Sequence, residues 1–84
     1  MRVLVPTHLR NYTQGQAEVD AQGQTLGALL DDLDAQFPGL KFRIVDEQNR
    51  VRPHVKCFIA GELAADLQVP VTGEMQIVAA LSGG

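Results

Sequence analysis

From Arg2 to Pro6 apolar and polar positions alternate, with Val3 and Val5 on one side and Arg2 and Leu4 on the other. This is the period of a β-strand, loosened at its end by Pro6, which has no backbone N–H. After the polar loop Arg10 to Gly15, Ala17, Val19 and Ala21 interleave with Glu18 and Asp20. That alternation predicts a second, half-buried strand, the hairpin partner of the first. The period then changes. Leu26, Leu29, Leu30, Leu33 and Phe37 recur at helical spacing, Thr25 can cap the helix with its hydroxyl, and Pro38-Gly39 stops it. About three turns result.

Leu40, Phe42, Ile44 and Val45 follow no clean period, so Leu40 to Asp46 is read as a short helical or irregular link. Glu47-Gln48-Asn49 is turn-like. From Val51 to Ala60, Val55, Cys57 and Ile59 alternate with His54, Lys56 and Phe58, which predicts a third and central strand. Gly61-Glu62 marks a tight turn into a short piece near Leu63 to Leu67. Pro70 to Gly73 is a loop before a last strand, Glu74 to Ala79. Ser82-Gly83-Gly84 carries nothing that packs, so residues 80–84 are expected to form a flexible tail. The order β, β, α, link, β, short β, β predicts one α+β domain over residues 1–84, a mixed sheet laid on one main helix.

Composition narrows the reading. At 84 residues, 45% hydrophobic and 20% charged, the chain suits one hydrophobic core. No apolar stretch approaches the roughly 20 residues that cross a bilayer, and Met1 to Pro6 is too short for a signal peptide. A cytoplasmic protein without membrane contact is expected. The single cysteine excludes an internal disulfide, and with only His8 and His54 beside it no metal-ligand cluster is expected. The net charge of −3, with Arg2, Arg10, Arg43, Arg50 and Arg52 scattered among acidic residues, argues against nucleic-acid binding. No Ser/His/Asp arrangement, P-loop or paired-carboxylate signature supports catalysis by this chain.

Individual residues sort by parity. Cys57 falls with Val55 and Ile59 on the apolar face and reads as core. His54 reads as a surface histidine, and Asp31, Asp32 and Asp34 as a solvated helix face. Phe58 has the opposite parity and should stand on the sheet face away from the helix, with Val78 and Leu81 of similar parity on the last strand. An apolar group beside the tail would be a docking patch for a partner protein.

Five stretches, Pro6-Thr7-His8-Leu9-Arg10, Thr25-Leu26-Gly27-Ala28-Leu29-Leu30-Asp31, Phe37-Pro38-Gly39-Leu40, Arg52-Pro53-His54-Val55 and the terminal Gly83-Gly84, resemble the ubiquitin-like sulfur carriers of the MoaD/ThiS family. The resemblance spans the chain and implies a β-grasp fold. Within the family, the length and the Arg-Pro-His-Val segment look most like the carriers of cysteine biosynthesis and related thiocarboxylate pathways. Val78-Ala79-Ala80-Leu81-Ser82 departs from relatives that have a proline-containing stretch before the glycines.

The resemblance implies a carrier and co-substrate rather than an enzyme. The Gly84 carboxylate would be adenylated by a partner, converted to a thiocarboxylate and drained by a sulfur-accepting biosynthetic enzyme. No bound cofactor is implied, and the ATP is used by the partner. The implied partners are an adenylating enzyme of the ubiquitin-activating type, a sulfurtransferase and the acceptor, the free carrier being a monomer. Ser82, Gly83 and Gly84 form the threading tail, where any Cβ would widen the chain and restrict φ. Three other readings use the same features: a protein modifier joined to lysine through Gly84, the small subunit of molybdopterin synthase, and a β-grasp interaction module without terminal chemistry.

Overall fold

The computed structural model describes residues 1–79. The two N-terminal segments pair as the alternation predicts. Strands β1 (Arg2–Leu4) and β2 (Glu18–Asp20) run antiparallel with Val3 opposite Val19. Between them the chain makes a 3₁₀ turn over Thr7–Leu9 and a loop folded around Thr13, whose buried hydroxyl donates to the carbonyls of Gln16 and Arg10.

Helix α1 spans Leu26–Gln36, and the Thr25 hydroxyl accepts from the Ala28 N–H at 3.2 Å, the cap expected from the sequence. Leu26, Leu29, Leu30 and Leu33 are fully buried. They form one cluster with Val3, Val55, Cys57, Ile59, Met75 and Ile77 from the inner face of the sheet. The link after Pro38-Gly39 is a second, five-residue helix, α2 (Leu40–Ile44), which buries Leu40 and Ile44 and leaves Phe42 about half exposed. The acidic face of α1 does more than face water. Asp34 Oδ1 accepts from the Gly39 and Lys41 N–H groups, Asp32 accepts from the Gln22 N–H, and Asp31 pairs with Lys41.

Three further strands complete the sheet: β3 (Val55–Ile59), β4 (Glu62–Leu63) and β5 (Met75–Ala79), in the order β2-β1-β5-β3-β4. The centre is therefore β5 and not β3, which corrects the expectation for the third strand. Strand β5 lies parallel to β1 and antiparallel to β3. A parallel neighbour requires a crossover, here the connection that contains both helices. Strand β3 is also shorter than Val51 to Ala60. Pro53 cannot donate to a ladder, Val55 N–H bonds back to Arg52, and Val51 makes only an isolated bridge with Val45. The β3–β4 hairpin turns through Ala60 and Gly61 with φ of 50° and 85°. Both central residues are left-handed, as a two-residue hairpin turn of type I′ demands. No helix of the described residues is long and apolar enough to cross a membrane.

Candidate functional site

Alternation puts two sets of side chains on opposite faces of the sheet, and only the inner set is covered by the helices. On the outer face the register aligns Leu4 of β1, Gln76 of β5, Phe58 of β3 and Leu63 of β4 in one row across four strands. Val78, opposite Lys56, begins the next row toward the end of β5. Phe58 and Leu4 are half-buried, whereas Leu63 and Val78 are 56% and 40% exposed. The parity assigned to Phe58 and Val78 thus puts both on the uncovered face, as diagonal neighbours on adjacent strands about 7–8 Å apart. Toward β2 the same face turns ionic, with Arg2 paired to Glu18 and Glu74. Apolar surface is concentrated where β3, β4 and β5 meet.

Leu63 and Leu4 belong to this row and were not singled out from the sequence. The place of Leu63 follows from the turn, which the structure puts at Ala60-Gly61 and the sequence pattern at Gly61-Glu62. A two-residue turn at Ala60-Gly61 sets Ile59 opposite Glu62 and therefore Phe58 opposite Leu63.

The other half of the candidate site is the end of β5. Its last residue, Ala79, is the point at which the described chain reaches the C-terminal stretch, and Leu81, Ser82, Gly83 and Gly84 lie outside the described residues, as does the whole expected tail 80–84. An open depression of about 440 Å³ flanks this end, lined by Pro6, Thr7, His8, Arg10, Val78 and Ala79. His8 Nε2 lies 2.6 Å from the Ala79 carbonyl oxygen.

Cys57 falls where parity put it, and His54 is on the surface as expected but outside the strand. Cys57 is fully buried, and burial pushes its thiol up to about 11, so it is a poor nucleophile. His54 is exposed in the turn before β3. Among the described residues no three His, Cys, Asp or Glu side chains group to hold a metal ion.

A mixed five-stranded sheet wrapped on one main helix, with its centre strand ending the described chain, is the β-grasp arrangement of ubiquitin-like proteins. Residues 3–84 match the ThiS family, and the chain belongs to it. The sulfur carrier protein CysO of Mycobacterium tuberculosis is 42% identical over 52 residues, which is 62% of this chain and 56% of that protein. The aligned part thus spans just over half the length of the curated relatives. Over the whole fold, the crystal structure of Mycobacterium tuberculosis CysO, called an antigen, superposes with a TM-score of 0.88 at 30% identity, covering 95% of this chain and 98% of the other. CysO from Amycolatopsis orientalis, crystallised in complex with BexX, gives a TM-score of 0.89 at 28% identity over 99% and 98% of the two chains.

Proposed function

We propose that this chain is a sulfur carrier of the CysO type, working through the carboxylate of Gly84. The observation that supports the reading best is the terminal Gly83-Gly84 in a chain whose match to the ThiS family runs from residue 3 to residue 84. A carboxylate is a poor electrophile. Attack of Gly84 on the α-phosphorus of ATP in a partner enzyme releases pyrophosphate and leaves an acyl adenylate. Sulfide then adds to the acyl carbon and expels AMP, giving the thiocarboxylate; a persulfide donor requires one thiol to reduce the resulting disulfide. The sulfur is nucleophilic yet held on a protein, and an acceptor enzyme takes it directly.

Everything catalytic belongs to the partners, and this chain supplies recognition and reach. The outer-face patch of Phe58, Leu63 and Val78 docks the activating enzyme while the glycines, lacking Cβ atoms, pass into its active site. The acceptor is a biosynthetic enzyme of the cysteine-forming type, by likeness to CysO.

Intact-mass spectrometry tests the reading. With ATP, sulfide and its activating enzyme, the chain should gain the mass difference of one sulfur replacing one oxygen. Deletion of Gly84 should abolish the gain, because even a displacement of about an ångström from the reacting geometry is costly. Full modification of the truncated chain, or none of the intact one, overturns the carrier reading. A cross-link to a lysine would instead identify a modifier.

A further inference from the structure

Strand β5 has a main-chain neighbour on each side for only part of its length. Its pairing with β3 continues to Ala79, opposite Val55, but its parallel pairing with β1 ends at Gln76, opposite Leu4. There β1 stops, because Pro6 has no N–H to offer and the chain turns away into the 3₁₀ turn. Among the described residues, no strand lies on the β1 side of the last residues of β5. At Ala79 a side chain takes the place of the missing backbone: the carbonyl lies 2.6 Å from His8 Nε2. A carbonyl oxygen only accepts, so Nε2 carries the proton in this contact.

His8 itself is well braced. Leu9 beside it is buried, Leu9 N–H and Arg10 N–H close the turn onto Pro6 and Thr7, and Arg10 Nε donates to the Val5 carbonyl at 3.0 Å. The imidazole is exposed, so it contributes little to the core. What it does hold is one end of the planar peptide that joins Ala79 to residue 80.

We infer that His8 is a positioning residue for the terminal chemistry: by donating to Ala79 it fixes the direction in which residues 80–84 set out toward a partner's active site. This rests on the carrier reading proposed above. The gain is orientational, since a chain that starts in a fixed direction has fewer conformations to lose when its end is aligned for reaction. The effect is therefore expected in turnover and not in docking, which uses the outer face of the sheet.

The test compares the native chain with His8→Ala and His8→Gln, the glutamine amide reaching about as far as Nε2 with an N–H donor. Melting temperatures should be equal. In NMR spectra the Ala79 carbonyl resonance should move in His8→Ala and return most of the way in His8→Gln. With the ATP-dependent enzyme that activates the native chain, kcat for thiocarboxylate formation should fall about tenfold in His8→Ala, with KM within about twofold, and recover in His8→Gln, the scale set by one hydrogen bond. Native turnover in His8→Ala, equal loss in both variants, or a loss that follows a lowered melting temperature overturns the inference while the carrier reading stands. No modification of the native chain overturns the carrier reading and the catalytic half of the inference with it; an unmoved Ala79 resonance in His8→Ala overturns the contact on its own.

Discussion

Cys57 is a free, buried cysteine that sits between Val55 and Ile59 on the inner face of β3. Burial raises its pKa from 9.0 to about 11 because the charged form is the one that desolvation penalises. An unfolded chain gives up the proton near the ordinary thiol value while the folded one keeps it. Stability from this group is thus complete below a pH of about 9 and is lost as pH rises through the folded pKa near 11, a change of at most ~3 kcal/mol. Urea melts over that range should show the native chain losing stability more steeply than Cys57→Ala, with the other titrating groups common to both. Parallel curves would mean that the thiol titrates as if exposed. Parity alone identified this residue as core, and likewise put Phe58 and Val78 on the opposite face, because a period of two admits only two answers. His8 was legible as part of a motif but not as a contact of Ala79. The two are far apart in sequence, and nothing local encodes a side chain standing in for a strand.

At the scale of elements, the clearest signals were those repeated over several turns or capped by a specific side chain, as in α1 with its four buried leucines and Thr25. Five residues are too few to display a helical period, which is why Leu40 to Ile44 was readable only as a link. Helix α2 instead begins on a carboxylate from its neighbour, Asp34, whose Oδ1 accepts from two N–H groups across Pro38-Gly39. Asp34→Asn should cost less than Asp34→Ala, and the alanine variant should lose about 1–2 kcal/mol in a urea melt. A variant as stable as the parent would show that the burial of Leu40 and Ile44 holds α2 unaided. The position of β5 was hidden for a different reason. Strands β3 and β5 share the same buried–exposed alternation, and a half-buried pattern reports one covered face without naming the neighbours to left and right. The hairpin into β4 was equally muted, since Ala60-Gly61 occupies a turn whose usual signal is Asn-Gly.

For the molecule as a whole, the proposed function separates recognition from reaction. The outer row of Leu4, Phe58 and Leu63 with Val78 lies on strands that are packed on their inner face, while the carboxylate proposed to react belongs to residue 84, beyond the end of β5. Charge placed on the row should therefore act on binding alone. Leu63 is 56% exposed, so Leu63→Glu adds no buried charge to the free protein and should leave its melting temperature unchanged. In a complex that covers the row, the new carboxylate must lose its water without gaining a partner, a cost on the order of 1–3 kcal/mol or roughly five- to 150-fold in Kd. Val78→Glu should behave alike, and Arg2→Ala, at the ionic corner near β2, should have little effect. Measured by titration with the activating enzyme, and by KM with kcat preserved, that pattern is the converse of the one expected for His8. Undiminished affinity of both glutamate variants would remove the outer face from the interface and direct attention to the Pro6–Arg10 depression beside Ala79.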